Sequence, residues 1–302
     1  MSYQTSLITL NNGNKIPGIS IIGTGTRWYK YNPEDKYSDA LVKQIENALE
    51  LPGMLHIDCA EMYQTHAEVG EALRNSKKPR DEIFITDKYA IPRKFSSNPK
   101  EGLKLALEKM GLEYVDLYLL HFPIIDPKLY DFTLEEAWKM MEDLYNEGLA
   151  KNIGVSNFRV EDLEQLSKSW VIKPQINQIE FNAYLQNQTP GIYDYCIKNN
   201  IQLEAFCPLV PLREVNEKDL LPLYVKQLAQ KYSKTENQIM LRWVSQRKVI
   251  PVTTSSRPER VRDAYDIFSF ELTQDEVEFI TKLGSQHDTI RKYWNVYYDK
   301  YN

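Results

Sequence analysis

The chain has 302 residues, enough for one large α/β barrel or two ordinary domains. Its 37 basic and 42 acidic side chains leave a net charge of −5, which counts against a nucleic-acid reader but not against a local basic site for a phosphate. A composition of 42% hydrophobic and 26% charged residues excludes collagen-like and disordered classes.

Residues 5–16 predict a hairpin. SLITL and KIPGI flank Asn11-Asn12-Gly13-Asn14, and Asn-Gly supplies the positive φ of a tight turn. Short apolar runs then alternate with amphipathic stretches of helical length. The runs are IPGISIIG, MLHID, EIFIT, VDLYLLH, KNIGVS, PQINQIEF, IQLEAF and KVIPVTT. Helices are predicted over 39–51, 99–110, 133–146, 160–167, 191–199 and 221–232. This alternation implies βαβ units, and eight strands fit a closed (β/α)8 barrel better than an open sheet. No linker divides the chain, so 1–302 reads as one domain. No window approaches ~20 consecutive apolar residues, so no membrane span is expected. The N-terminus has no signal-peptide pattern. Cys59, Cys196 and Cys207 are odd in number and form no CxxC, which predicts a reducing, cytoplasmic setting. His56, His66, His121 and His287 show no metal-ligand spacing, so no metal is expected.

The residues that end the runs are chemical in type: Asp58, Lys88, His121, Ser156-Asn157, Gln178 with Glu180, Phe206-Cys207, and Thr253-Thr254-Ser255-Ser256. Parallel barrels build their active sites at the C-terminal ends of the strands. Gly23-Thr24-Gly25-Thr26 lacks the third glycine of a doubly wound dinucleotide fold, which weakens that reading. Taken singly, these residues have bland explanations. Tyr63 is one of 20 tyrosines, Lys88 could be a solvated helix-end lysine, Asp58 a cap, and His121 an interior histidine. At one barrel end, Asp58 and Lys88 would satisfy each other's charge. The ammonium would lower the pKa of the Tyr63 phenol and make it a usable acid. His121 would orient a substrate oxygen. The set suits proton delivery to a carbonyl oxygen as hydride reaches its carbon.

With HAEVGEAL at 66–73, LLHFP ending at Pro123, GVSNF at 154–158, NQIEF at 177–181 and IPVTTSSRPERV at 250–261, the chain resembles the aldo-keto reductases over almost its whole length. It is most similar to the fungal branch that reduces α-keto amides, α-keto esters and conjugated polyketones. The resemblance implies an (α/β)8 barrel and NADPH-dependent carbonyl reduction. It implies Tyr63 as general acid, Lys88 as the residue lowering its pKa, Asp58 as the partner of Lys88, and His121 as the substrate-orienting histidine. Ser156, Asn157 and Gln178 would bond the nicotinamide carboxamide, and Phe206 would stack on its ring. Gly23, Thr24, Gly25, Asp58, Cys207 and Leu209 are expected along the cofactor. Thr254 stands where the family commonly has a lysine for the adenosine 2′-phosphate, and Ser255, Ser256, Arg257 and Arg260 follow. Trp28, Tyr29, Tyr89, Phe122, Trp294 and Tyr297 are expected around an aromatic substrate pocket closed by the C-terminal tail. The expected partner is a small carbonyl substrate, and the expected state a monomer or weak homodimer. Two other readings stay open: Lys88 as a Schiff-base former, and an NADPH-binding redox-sensing or regulatory subunit with little turnover.

Overall fold

The computed structural model describes residues 6–30, 37–214 and 219–302. It opens with the antiparallel pair β1 (Leu7–Thr9) and β2 (Lys15–Pro17), where Ile8 faces Ile16. Gly13 supplies the positive φ of their turn, at +90°. Thr5 of the expected hairpin lies outside the described residues. Eight parallel strands follow: β3 (Ile22–Gly23), β4 (Leu55–Asp58), β5 (Ile83–Tyr89), β6 (Leu117–Leu120), β7 (Ile153–Ser156), β8 (Ile176–Glu180), β9 (Gln202–Phe206) and β10 (Val249–Pro251). Each bonds to the next in chain order. The first and last strands close the ring, for Ser20 bridges Val252 and the Thr253 N–H donates to the Ser20 carbonyl at 2.8 Å. The fold is therefore the (β/α)8 barrel that the pattern predicts. Every predicted run contains a strand. IPGISIIG is long enough to serve two, giving Ile16 and Pro17 to the hairpin and Ile22 and Gly23 to the barrel.

The helices are α1 (Asp39–Leu49), α2 (His66–Asn75), α3 (Pro99–Met110), α4 (Leu134–Asn146), α5 (Val160–Ser167), α6 (Ile192–Lys198), α7 (Leu220–Tyr232), α8 (Glu236–Gln246), α9 (Pro258–Tyr265), α10 (Gln274–Ser285) and α11 (Asn295–Tyr298). Local chemistry sets many of their ends. Asn98 caps α3, and Gly111 in the left-handed region stops it. Thr133 with Glu136, Thr235 with Gln238, and Thr273 with Glu276 form capping boxes. Helix α1 ends two residues before the expected Leu51, because Pro52 turns its predecessor away from helical geometry. Among the described residues no helix is long and apolar enough to cross a membrane.

Strand alternation decides what enters the barrel. Near the strand starts, Phe84, Leu117, Leu119, Ile176 and Ile250 form an apolar floor with Leu10 and Ile16 of the hairpin. The hairpin is tied there by Asn11 Nδ2, which donates to the carbonyls of Pro174 (2.9 Å) and Asn200 (3.0 Å). Asn12 and Asn14 both donate to Asn152 Oδ1. Higher in the barrel the inward side chains become polar: His56 meets Thr86 at 2.7 Å, and above them lie Asp58, Lys88, Gln178 and Glu204. At the opposite rim the tail crosses over. The Trp294 indole stacks on Phe122 with centroids 4.1 Å apart and planes at 18°, and the Tyr298 hydroxyl donates to the Asn157 carbonyl at 2.5 Å.

Candidate active site

Strands β4 and β5 are neighbours, and Asp58 pairs in register with Thr86. Lys88 therefore points inward one step above, beside the end of β4. Its fully buried ammonium has three acceptors: Asp58 Oδ2 at 2.8 Å, the Cys59 carbonyl at 2.7 Å, and the Tyr63 hydroxyl at 3.4 Å. An ammonium has three N–H donors, so none is left over. Tyr63 arrives on a single 3-10 turn, Glu61–Tyr63, just after β4. Its ring lies 4.9 Å from Lys88 Nζ and meets the His121 ring edge-on at 5.8 Å. Asp58, Tyr63, Lys88 and His121, expected at or just after the ends of three successive strands, are thus brought into one contact set.

Burial acts against the charge of Lys88, but Asp58 and Tyr63 hold its ammonium above the usual lysine range. That geometry argues against the Schiff-base reading, which needs a neutral amine. Burial and the Lys88 cation keep His121 well below its usual range, so its imidazole is neutral at pH 7. The sequence argument for Tyr63 needs a correction. Burial pushes its phenol up to about 12 and outweighs the lowering by Lys88, helped by the Asp58 carboxylate. The lysine restrains the rise without producing a net fall.

Gln178 extends the set. Its Nε2 donates to Asp58 Oδ1 and to Glu204 Oε2, both at 2.9 Å. Glu204 is fully buried, and burial with Asp58 alongside pushes its carboxyl up to about 8. The Ser156 hydroxyl donates to the Gln178 carbonyl at 2.8 Å. Asn157 Nδ2 donates to the His121 carbonyl at 2.9 Å, and Asn157 Oδ1 accepts from Gln188 Nε2 at 2.8 Å. Ser156, Asn157 and Gln178 are thus tied to one another, to Asp58 and to the His121 backbone, and Phe206 ends β9 partly exposed at the rim.

Between β10 and α9 runs a cleft lined by Ile21, Leu209, Thr254, Ser255 and Ala264, with Arg213 and Arg260 on its wall. Ser256 lines a separate hollow between α1 and α9, and Arg257 lines neither. Cys207, partly exposed, follows Phe206 with φ +56°, and burial pushes its thiol up to about 12.

Several expected site residues lie elsewhere. Tyr89 follows the inward Lys88, so alternation sends it outward. It is wholly buried between the barrel and α3, with its ring 6.4 Å from that of Tyr130. Phe122 is also fully buried, beneath Trp294 and Tyr297, and supports the pocket wall instead of forming its face. The Gly23 N–H donates to the Thr253 carbonyl, and the N–H and hydroxyl of Thr24 both go to the Asp58 carbonyl, so these donors belong to the barrel wall. Tyr29 meets Tyr63 edge-on at 6.2 Å and accepts from Arg93, while Trp28 is partly buried against the core. Sequence reasoning passed over Arg213, Asn237 and Glu204. Glu204 carried a signal, a carboxylate inside the apolar run IQLEAF. Arg213 follows β9 on a short 3-10 turn and Asn237 sits on α8, and neither belongs to a motif.

Comparison with known proteins gives four further findings. The model of the Aldo/keto reductase family matches residues 21–285. An NADPH-dependent alpha-keto amide reductase of Saccharomyces cerevisiae is 56% identical, across 100% of this chain and 98% of its own length. An NAD/NADP-dependent indole-3-acetaldehyde reductase of Schizosaccharomyces pombe is 37% identical across 91% of this chain and 94% of its own. Among solved structures, a Bombyx mori aldo-keto reductase in complex with NADP superposes with a TM-score of 0.79 at 32% identity, covering 98% of each chain.

Proposed function

The chain belongs to the aldo/keto reductase family, and we propose that it reduces small carbonyl compounds, α-keto amides and related α-dicarbonyls foremost, to alcohols with NADPH. The observation that carries this reading is the single contact set in which Lys88 joins Asp58 and Tyr63 beside a neutral His121. The activity of the yeast relative supports the substrate class.

The residues present suit the cofactor. Arg213 and Arg260 offer guanidinium forks for phosphate. Phe206 offers an aromatic face at the rim, and Ser156, Asn157 and Gln178 would meet a carboxamide by exchanging the bonds they now make to one another, to Asp58 and Glu204 and to the His121 carbonyl. When bound, NADPH supplies the hydride that reaches the carbonyl carbon. Tyr63 gives its proton to the carbonyl oxygen, and Lys88 stabilises the phenolate left behind. Asp58 keeps Lys88 charged and aimed. His121, neutral, donates a hydrogen bond that orients the carbonyl. Trp294 and Tyr297 form the apolar roof that favours bulky ketones and excludes water.

We infer that 1–302 works as one catalytic unit, a cytoplasmic monomer or weak homodimer without nucleic-acid partners. Its net charge of −5 and its cysteines, unpaired among the described residues, support this. The test is NADPH oxidation with aldehydes, α-keto esters, α-keto amides and diketones. Turnover highest on the α-dicarbonyl compounds is expected. NADPH binding without oxidation on any of them would favour a regulatory subunit.

A further inference from the structure

Glu180 ends β8 two residues beyond Gln178, so its side chain rises on the same inner face at the rim. It is wholly buried, and the proton-transfer set does not use it. Both of its oxygens are taken by the backbone of the tail. The Lys292 N–H donates to Oε1 at 2.7 Å and the Tyr293 N–H to Oε2 at 3.1 Å. These two residues sit at a junction between two walls. The Tyr293 ring meets Phe206 edge-on at 5.9 Å. Trp294, next in the chain, takes φ +62° and swings its indole onto Phe122, 6.5 Å from His121.

Resting on the reductase reading, we propose that Glu180 is a positioning residue for substrate specificity: it clamps Lys292 and Tyr293 and so sets the roof over bulky carbonyl substrates. The carboxylate suits this task. It presents two acceptor oxygens to two N–H donors, whereas a glutamine would turn an NH2 group toward one of them. The cations of Arg291 and Lys292 flank it, and Lys292 Nζ is itself paired with Glu214 at 2.7 Å. The clamp joins chain segments 112 residues apart and acts together with the Tyr293–Phe206 ring contact.

The test compares the full-length wild type with Glu180→Gln, which keeps the side chain's shape. Hydrogen–deuterium exchange is read above pH 8, where a carboxyl that burial pushes up to about 7 is ionised. The Lys292 and Tyr293 amides should exchange at least about tenfold faster in the variant, the size expected when a charge-assisted bond is lost. The amides of β8 and β9 should keep their protection. With a bulky α-keto amide, KM should rise at least about fivefold and kcat should fall by less. Lys292→Pro deletes the backbone donor from the tail side together with the exposed Lys292–Glu214 pair, and should raise the same KM, whereas Lys292→Ala, which loses the pair alone, should not. Unchanged exchange at Lys292 and Tyr293 overturns the clamp. Faster exchange throughout β8 overturns it as well, because the carboxylate would then be a general structural support. A released tail with the same substrate ranking overturns the specificity role. A wild type that oxidises no NADPH with any carbonyl sinks the reductase reading, while the exchange measurement still decides the clamp.

Discussion

Tyr63 rests directly on Gly25: a Cβ at position 25 would come within 2.8 Å of Tyr63 Cζ and 3.0 Å of both Cε atoms. The phenol end of the ring is thus seated on bare backbone. Gly25→Ala should push the hydroxyl away from Lys88 Nζ, now 3.4 Å distant. A misplacement of this kind commonly costs ~10²-fold in rate. We expect kcat to fall by about that order with little change in melting temperature. A variant with wild-type kcat would show that the ring can be displaced without consequence.

Tyr63→Phe removes the proton donor and keeps the ring in place. General acid catalysis contributes ~10²–10⁴-fold, so turnover should fall by that order while NADPH affinity stays the same. Retention of a tenth of wild-type turnover would assign the proton to another group.

Lys88→Met deletes the cation that restrains the phenol and leaves the buried Asp58 carboxylate with Gln178 as its remaining side-chain partner. The Tyr63 phenol, already pushed up to about 12 by burial, should rise further. Breaking a buried ion pair from one side typically costs ~3–5 kcal/mol, so the melting temperature should drop along with activity. Turnover unaffected across the pH range would make Lys88 structural.

The Glu204 carboxyl has an ordinary value of 4.5, and burial raises it to about 8 in the barrel. The folded chain therefore keeps a proton that the unfolded chain has lost. The contribution of this group to stability is fully present below about 4.5 and is lost as pH rises through about 8. Glu204→Gln has no such proton to lose. Urea unfolding at several pH values should show the wild type losing more stability than the variant between about pH 4.5 and 8, with no further divergence above that. Parallel curves would mean that the carboxyl stays ionised in the barrel.

Arg260 shares its cleft with Thr254 and Arg213, and Arg257 does not line it. A charge-assisted hydrogen bond is worth ~1.5–3 kcal/mol, and ~1.4 kcal/mol is tenfold in affinity. Arg260→Ala should weaken NADPH by roughly ten- to a hundredfold and leave NADH almost unchanged, while Arg257→Ala should do little to either. Thr254→Lys should tighten NADPH by placing a cation in the cleft, at the loss of the 2.9 Å bond from Gln44. Equal losses of both cofactors in Arg260→Ala, measured by fluorescence titration, would show that it does not read the 2′-phosphate.

The barrel was legible because each strand is a short apolar run, and the contact set because its members end or follow those runs. Alternation would also have excluded Tyr89, since a strand that turns Lys88 inward must turn the next residue out. The Tyr63 pKa was misjudged because a lysine's charge can be counted from sequence, while the desolvation opposing it depends on packing. The partners of Glu180 are backbone amides, which every residue but proline carries, so no side-chain pattern could announce them. Arg213 reaches the cleft from a turn whose path only the folded chain defines.

The hairpin floor gives the barrel a one-way plan. Leu10 and Ile16 seal the strand starts, so substrate and product share the opening beneath the tail. A bulky alcohol has no rear door and must leave against incoming ketone. Product inhibition should therefore grow with the size of the substituent, and loosening the roof should relieve it before any change in chemistry is felt.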